Sequence, residues 1–340
     1  MNHGLLIIGF FIFLLTFLVP PTVQFILLGI GIIILSLYSG DITEELAKHY
    51  SSTIGGLINA TLGNIGELII GLFALKQGLN DVVQASITGS IVGNLLFLFG
   101  LAIMINGLFF KKSTIKKKVS EINSTLLMIT VILLFLPSLL PVLHESSHYK
   151  IITLWVAGIM FFIYISSLIF SLITHKKWFL DNIKEKPQIS KLEGWIFIII
   201  SVFLMTVMSD MFSKLIEAVS LQFGFNELFM GAIIVGMVGN IGEHISSLKF
   251  SLKNKMDLVV SISIGSALQV GLFVLPVLVF ASFLMGNPLI LNFKPVESVS
   301  MFVSALLLNE VTKDSEVNWF EGLELIALYI LIAVLFYFAV

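Results

Sequence analysis

The sequence has no cysteine, no arginine and few charged residues of any kind. Asp, Glu, Lys and Arg make up 12% of the chain, whereas soluble domains usually carry about 25%. The lack of cysteine excludes disulfides, thiolate metal sites and cysteine nucleophiles, and it favours oxygen ligands for any bound cation. The formal net charge of −2 gives no sign of nucleic-acid binding, so we expect no nucleic-acid partner.

Hydrophobic residues make up 57% of the 340-residue chain, and the mean hydropathy is +1.05. No charged side chain occurs between Met1 and Gly40, a stretch with two apolar runs separated by Pro20 and Pro21. The first run is not typical of a signal peptide, because no Lys or Arg precedes it and no small-residue cleavage site follows. We interpret it as a helix of the mature protein.

Apolar runs of about 17–25 residues, the length that crosses a bilayer as a helix, recur along the whole chain. The sequence therefore predicts an all-α integral membrane protein of about eleven transmembrane helices, with membrane lipid as its partner and no separate soluble domain. The predicted segments are residues 4–19, 22–39, 54–76, 82–108, 119–140, 149–174, 192–212, 225–252, 257–285, 288–308 and 319–338.

Lysine is concentrated in alternate loops. The loops after even-numbered segments contain 15 of the 19 basic residues. Because cytoplasmic loops carry an excess of Lys and Arg, these loops are predicted to be cytoplasmic. The N-terminus is then cytoplasmic and, with an odd number of helices, the C-terminus lies outside. The two largest clusters are Lys111, Lys112, Lys116, Lys117 and Lys118, and Lys176, Lys177, Lys184, Lys186 and Lys191.

A five-residue string occurs twice in the chain. Gly63–Glu67 is repeated as Gly239–Glu243, 176 residues later, and the match continues without a gap through Gly89 and Gly265. The copies lie five segments apart, so they cross the membrane in opposite directions, and such an inverted repeat places a binding site near the midplane. The predicted divisions are an extra helix at 1–20, a first five-helix repeat at 21–174, a cytoplasmic linker at 175–191 and a second five-helix repeat at 192–340.

Each string places a glutamate inside a predicted transmembrane helix. A carboxylate in hydrocarbon costs roughly 2.5–3.5 kcal/mol or more, so Glu67 and Glu243 must face a partner or a water-filled cavity. For either residue alone, a structural carboxyl hydrogen-bonded between helices is the alternative. The recurrence of both in identical strings favours a functional role as metal ligands and proton sites.

Neutral oxygen donors accompany the two glutamates. With two carboxylates they form an all-oxygen set, which suits a hard cation such as Ca²⁺ with its about six to eight oxygen ligands. Hydrogen bonding between helices is the alternative for the polar side chains, and close helix packing is the alternative for the glycines. The predicted metal-site residues besides the glutamates are Asn64, Asn240, Gln269, Asn94, Ser90, Ser266, Gly63 and Gly239.

The same carboxyls indicate how transport is driven. Burial and a second nearby carboxyl both disfavour the charged form, so without metal both glutamates would tend to hold protons. Exchange of two protons for one Ca²⁺ keeps the charge of the site similar, whereas the empty, doubly ionised site is strongly disfavoured. His244 follows Glu243 directly and is a further candidate proton site, although a single histidine is more often structural.

At these residues the sequence resembles the cation/proton exchangers (CAX) of the Ca²⁺/cation antiporter superfamily. The pattern of that family is a Gly-Asn-x-x-Glu string in each half, the second followed by His, as in Gly63–Glu67 and Gly239–His244. The surrounding Thr43–Ala47 and Gly265–Gln269 also fit, and the resemblance covers most of residues 40–285. The sodium/calcium branches differ, since their string is of the type Gly-Thr-Ser-x-Pro-Glu.

The resemblance implies that both glutamates bind Ca²⁺ and protons in turn. It leaves Mn²⁺ as an alternative cation, because members of the family carry that ion too. Eukaryotic members often have an acidic helix between the halves, whereas residues 181–191 contain only two acidic residues. A regulatory or cation-gathering role is therefore not implied for this segment.

These observations together predict a secondary transporter, not an enzyme, that exchanges Ca²⁺ for H⁺ by alternating access and needs no cofactor. The rival functions are an exchanger driven by Na⁺ or K⁺, a passive cation channel with a glutamate filter, and a non-transporting membrane scaffold. We expect the protein in a bacterial-type cell membrane. The sequence leaves its oligomeric state open, a homo-oligomer included.

Overall fold

A computed structural model of the chain describes residues 3–110, 113–115, 117–138, 146–179, 186–313 and 316–339. Within these ranges, nine helical spans are long and apolar enough to cross a membrane, and a shorter apolar helix covers Gly4–Leu18. The all-α membrane fold is confirmed, while the count of eleven crossings stays a prediction. Parts of the sequence predictions lie outside the described residues: 1–2, 139–140, 180–185, 340 and the lysines Lys111, Lys112, Lys116 and Lys184.

The helices in chain order are α1 Gly4–Leu15, α2 Pro21–Ala47, α3 Ser52–Leu62, α4 Ile65–Lys76, α5 Asn80–Val92, α6 Phe99–Phe110, α7 Lys117–Ser138, α8 Ser146–Ile169, α9 Lys176–Phe179, α10 Lys191–Phe223, α11 Glu227–Phe229, α12 Gly236–Ser251, α13 Met256–Gln269, α14 Leu275–Leu284, α15 Pro295–Thr312 and α16 Trp319–Phe338. A 3₁₀ turn covers Thr16–Leu18, and π-helical turns cover Gly93–Leu98, Phe170–Thr174, Met230–Val235 and Val270–Val274. Two short antiparallel strands, β1 Ser113–Thr114 and β2 Glu316–Val317, complete the described elements.

The chain divides into two units, each formed from two separate stretches of sequence. Unit 1 consists of Met1–Leu79 and Ile163–Phe225, and unit 2 consists of Asn80–Phe162 and Asn226–Val340. Each unit therefore contains helices from both predicted repeats. The first copy of the string lies in unit 1 and the second copy lies in unit 2.

An antiparallel pair of long helices, α2 and α10, forms the centre of unit 1. The Phe25 and Phe212 rings stack with centroids 4.3 Å apart, and Thr22 Oγ1 donates to Gln222 Oε1 at 2.6 Å. Their 27 and 33 residues make them about 40 and 50 Å long. The predicted ends at residues 39 and 212 were wrong, because both helices continue beyond their apolar runs into segments with charged side chains.

The first copy of the string interrupts a helix, and the second copy does not. Helix α3 ends at Leu62 and α4 begins at Ile65, with Asn64 at φ −101° and ψ 20° between them. Gly239–Glu243, in contrast, lies inside the continuous helix α12. The irregular backbone beside the second copy lies further upstream, in the π-helical turn Met230–Val235. The two copies therefore share a sequence and differ in local backbone.

Two glycines allow a very close helix crossing in unit 2. A Cβ at Gly89 of α5 would collide with the backbone of Ala232, and a Cβ at Gly231 would collide with the backbone of Val82. Two residues without side chains therefore bring α5 against the start of the helix that continues as α12. This approach places the polar residues near the end of α5 beside those of α12.

The tenth predicted segment begins later in the structure than in the sequence analysis, which placed it at residues 288–308. Helix α15 starts at Pro295, and residues 287–294 before it have no regular secondary structure. Leu289, Leu291 and Phe293 are each at most 2% exposed, which is the alternation of a strand. Side chains of three helices accept from three backbone N–H groups of this stretch: Ser282 accepts from Leu289, Thr153 from Leu291 and Gln84 from Asn292.

The Gly89 crossing yields a stability prediction. We expect Gly89→Ala to lower the free energy of unfolding by about 1–3 kcal/mol, because the new methyl group would push two backbones apart. Gly158→Ala is the matched control, since a Cβ there meets no atom within 4 Å. Thermal unfolding of the purified protein in detergent measures both. Equal melting temperatures for the two variants would contradict the close crossing.

Candidate polar transport site

Four predicted site residues meet in one buried hydrogen-bond network in unit 2. Asn94 Nδ2 donates to Asn240 Oδ1 and to Ser266 Oγ, both at 2.9 Å. Asn240 Nδ2 donates to Ser90 Oγ at 2.6 Å. The exposed fractions of these four side chains range from 0% to 5%. Amide and hydroxyl groups from α5, the adjoining π-helical turn, α12 and α13 thus form one polar centre.

The network uses the polar atoms of Asn240 and Asn94 to different extents. Asn240 Nδ2 also donates to the Gly236 carbonyl at 2.8 Å, and Asn240 Oδ1 also accepts from Ser266 Oγ at 3.4 Å. Every polar atom of the Asn240 side chain therefore has a partner. Asn94 Oδ1 is buried and has no hydrogen-bond partner among the described residues. A buried acceptor without a partner is expected where a ligand or a water molecule binds.

Wide helical turns occur at corresponding positions of the two predicted repeats. Gly93–Leu98 contains Asn94, and Val270–Val274 directly follows Gln269. The 176-residue offset relates residue 94 to residue 270, so both turns fall at the same register position. Turns of this kind are frequent at functional sites. Gln269 lies one helical turn after Ser266 on α13.

Glu243 and His244 follow Asn240 on α12 by three and four residues. Glu243 is half-buried, and no ion pair involves it within the described ranges. His244 is 5% exposed, and both of its ring nitrogens lack a hydrogen-bond partner in the described part of the chain. Its ring centroid lies 5.9 Å from that of Phe97. The carboxyl and the imidazole therefore stand next to the polar centre on one helix.

The first copy of the string occupies the helix interruption in unit 1. Asn64 is 1% exposed and is the N-cap residue of α4, and Glu67 lies in the first turn of that helix. One Glu67 carboxyl oxygen is buried, although the side chain as a whole is half-buried. The N-terminal end of a helix favours a nearby negative charge. Gly63, the C-cap residue of α3, precedes Asn64 directly.

The structure brings some of the predicted residues together and leaves the others in separate settings. Within the described ranges, no three Asp, Glu or His side chains form a group that could hold a metal. In unit 2 the predicted ligands are one carboxyl and neutral oxygen donors, and in unit 1 the predicted side-chain ligands are one carboxyl and one amide. A cation held by such groups would be bound mainly by neutral oxygens, as in Ca²⁺ sites rich in amide and carbonyl ligands.

One contributor to the network was missed in the sequence analysis. The carbonyl of Gly236, four residues before Asn240 on the same helix, accepts a hydrogen bond from the Asn240 side chain. A signal was available in the sequence, since Gly236 and Gly239 are spaced for close packing on one side of a helix. Backbone carbonyls, however, have no residue-specific signature, so composition does not single them out.

The helices and the buried oxygen-lined centre define an α-helical membrane transporter. A family model for the sodium/calcium exchanger protein matches residues 20–173 and 193–338, which is most of the chain. The chain belongs to this family, within the Ca²⁺/cation antiporter superfamily.

Two curated relatives are similar over nearly the whole chain. One is the Ca(2+)/H(+) antiporter of Aphanothece halophytica, 36% identical over 338 residues, with 92% of this chain and 90% of the relative covered. The other is the Ca(2+)/H(+) antiporter ChaA of Bacillus subtilis (strain 168), 37% identical over 325 residues, with 94% and 93% covered. The resemblance to cation/proton exchangers is confirmed, and the protein is a membrane antiporter and not an enzyme.

Solved structures support the same fold. The native YfkE structure matches with a TM-score of 0.85 and 33% identity, and the match covers 98% of each chain. The H+/Ca2+ exchanger CAX matches with a TM-score of 0.75 at 16% identity, covering 98% of this chain and 91% of the other. At 16% identity, the match to the second structure shows similarity of fold alone.

The network yields a prediction about which amide supports the fold. Asn240→Ala should lower the free energy of unfolding by about 2 kcal/mol or more, because it removes the hydrogen bonds from Asn240 to Asn94, Ser90 and Gly236 in a buried network. Asn309→Ala is the control, since Asn309 is exposed. Chemical or thermal unfolding of purified variants gives the comparison. An Asn240→Ala variant as stable as the control would show that the network adds nothing to stability.

Proposed function

We propose that this protein exchanges Ca²⁺ for H⁺ across the membrane by alternating access, with Glu67 and Glu243 as the shared binding sites. The observation that carries the proposal is the duplicated string, which puts a half-buried glutamate beside a buried asparagine in each unit. The names of the relatives described above, with more than 90% of this chain covered, support the choice of ions.

In unit 2, Glu243 supplies the charge and Asn94 supplies the neutral oxygen. Asn94 Oδ1 is the amide acceptor of the network without a partner in the described residues, so it is available to a cation. Asn240, whose polar atoms are all engaged, acts as a positioning residue that fixes the Asn94 amide. Ser90, Ser266 and Gln269 complete the neutral oxygens in unit 2.

In unit 1, Glu67 and Asn64 supply the corresponding groups at the helix interruption. An interrupted helix offers backbone carbonyls as additional ligands, here at Gly63, and Gly239 is the corresponding residue of the other copy. Water access to Glu67 is consistent with its partial exposure. Proton transfer at this carboxyl then needs no further side chain, whereas His244 is the candidate to assist Glu243.

The charge balance explains the coupling. A site that carries either two protons or one Ca²⁺ has the same net charge in both states. The doubly ionised empty site would carry two uncompensated negative charges in a low-dielectric region, where each ion is expensive to bury. Return of the unloaded carrier is therefore suppressed, and movement of one ion requires movement of the other.

The surroundings of the protein complete the proposal. With the lysine-rich loops in the cytoplasm, the N-terminus is cytoplasmic and the C-terminus is outside, in a bacterial-type cell membrane. The five-helix repeats at 21–174 and 192–340 then have opposite orientations on either side of the linker. Mn²⁺ is the alternative divalent cation, and it competes for the same oxygens.

The glutamates provide the first test. Glu67→Gln and Glu243→Gln should each reduce Ca²⁺ uptake into vesicles with an imposed pH gradient to background, because each removes a ligand charge and a proton site at once. Glu310→Gln is the control, since the Glu310 side chain is 63% exposed and pairs only with Lys313 among the described ion pairs. Near-normal flux in either glutamine variant would exclude that residue as a shared site.

The pH dependence of Ca²⁺ binding provides the second test. Below the pKa of a carboxyl, binding of metal must first remove its proton, which costs about 1.4 kcal/mol per pH unit. With both glutamates protonated, the apparent affinity should fall up to about a hundredfold per pH unit on acidification and should level off on the alkaline side. Interacting carboxyls report macroscopic values, so the curve belongs to the pair.

The same preparation separates the rivals. A channel blocked by protons could show the binding slope, but it would not move Ca²⁺ uphill on a proton gradient in the absence of Na⁺ and K⁺. An exchanger driven by Na⁺ or K⁺ would show uphill movement only when that ion is added. Flat binding together with no uphill flux would defeat the proposal.

A further inference from the structure

Three glutamates occupy the same position at the starts of three helices, and one of them is unlike the other two. Glu193, Glu297 and Glu321 each accept the backbone N–H of the N-cap residue three positions earlier, at 2.8, 2.8 and 2.9 Å. This hydrogen bond is common at helix starts, and it accounts for a glutamate at each of the three positions. Glu193 is exposed and Glu321 is half-buried, whereas Glu297 is 4% exposed.

Glu297 also has a hydrogen-bond partner on another helix. Its Oε1 lies 3.1 Å from the hydroxyl of Thr88 on α5, while its Oε2 accepts from the N–H of Lys294. Thr88 is itself 0% exposed. A helix start needs only the bond to the N-cap residue, so the capping role does not account for the burial of the second oxygen against another helix.

The Thr88 hydroxyl can serve either protonation state of Glu297. Thr88 Oγ1 lies within hydrogen-bond distance of two acceptors, Glu297 Oε1 at 3.1 Å and the Gln84 carbonyl at 3.3 Å, but it has a single hydrogen to donate. If Glu297 is ionised, Thr88 donates to it. If Glu297 is protonated, its O–H donates to Thr88, and Thr88 donates to Gln84. In either state the Glu297 carboxyl oxygens and the Thr88 hydroxyl have a hydrogen-bond partner.

The charged groups near Glu297 do not fix its protonation state. Asp81 at the start of α5 and Lys294 have opposite signs, and neither makes an ion pair with Glu297 in the described residues. Pairing of β1 with β2 joins the start of α7 to the end of α15, about 22 Å from Glu297 along the helix. Apart from Asp81, the acidic side chains of the described elements packed against α15 belong to that opposite end: Glu121, Glu316, Glu321 and Glu324.

We propose that Glu297 is a proton-binding site in the interior of unit 2, in addition to the two glutamates of the string and independent of them. Its hydrogen bond to Thr88 connects it to the polar centre through α5, since Thr88 precedes Asn94 by six residues, about 9 Å along the helix. Uptake of a proton reverses the hydrogen bond to Thr88. The proton site is thereby connected to the helix that carries Ser90 and Asn94.

The substitution Glu297→Gln separates the two roles. A glutamine oxygen can still accept the N–H of Lys294, since Gln replaces Glu in such helix starts. Its amide N–H₂ then donates to Thr88, as the protonated acid would. The variant should therefore fold like the wild-type protein and lack one titrating proton.

The test is an infrared pH titration of the purified full-length protein without Ca²⁺, between about pH 5 and pH 9. The C=O stretch of a protonated carboxyl that exchanges its hydrogen slowly with deuterium reports buried acids alone. Glu297→Gln should remove one carboxyl per molecule from this band. Glu193→Gln and Glu321→Gln, which change the same helix-start position near the surface, should leave the band unchanged.

Two further variants make the result decisive. The band assigned to Glu297 should persist in the Glu67→Gln, Glu243→Gln double variant, so the outcome does not depend on the proposed exchange mechanism. Thr88→Val should move the band to higher pH, because an ionised carboxylate loses more than a neutral one when a hydroxyl donor is removed. An identical band in the wild-type protein, Glu297→Gln and Thr88→Val would overturn the proposal and leave Glu297 as an ionised helix cap.

Discussion

A polar group in a helical membrane protein must find its partner within the protein, and the Asn94–Asn240 hydrogen bond meets this requirement at the centre of unit 2. Water is not available in hydrocarbon to replace a missing partner. The bond needs the backbones of α5 and the helix of Asn240 to lie very close, which is possible because Gly89 and Gly231 have no side chains at the crossing. With Asn240 fully engaged, the Asn94 oxygen is held in place with one acceptor open. The geometry of the polar centre therefore depends on glycines that never touch it.

The sequence predicted much of this arrangement because two of its signals are direct consequences of the bilayer. Apolar runs predicted helices at nearly all of the observed positions, since only a hydrogen-bonded helix can carry such a run through lipid. The duplicated string singled out Asn240 and Glu243 because polar residues are rare enough in these runs for a recurrence to be informative. Ser90, Asn94 and Ser266 were found through the same register, and the structure places them within hydrogen-bond distance of one another or of Asn240.

Other features were beyond the sequence because identical residues respond to different surroundings. Gly63-Asn64 interrupts a helix, whereas Gly239-Asn240 does not, and in the second case the Asn240 amide bonds to the carbonyl of the preceding turn. Hydropathy also could not locate the start of α15, since Leu289 and Leu291 are as apolar in an irregular stretch as in a helix. The ends of α2 and α10 were placed too early, because hydropathy reports where lipid ends and not where a helix ends.

The irregular stretch before α15 affects how the protein is made. Three of its backbone N–H groups donate to Ser282, Thr153 and Gln84, which belong to helices α14, α8 and α5. A newly synthesised chain cannot release such a stretch into lipid alone, since its amides would be left unbonded there. All three acceptors are translated earlier than residue 289. Helices α5, α8 and α14 are therefore already in the membrane when this stretch leaves the insertion machinery, and it can bond to them at once. In a circular permutant that begins between α8 and α14, the stretch would be inserted before α5 and α8.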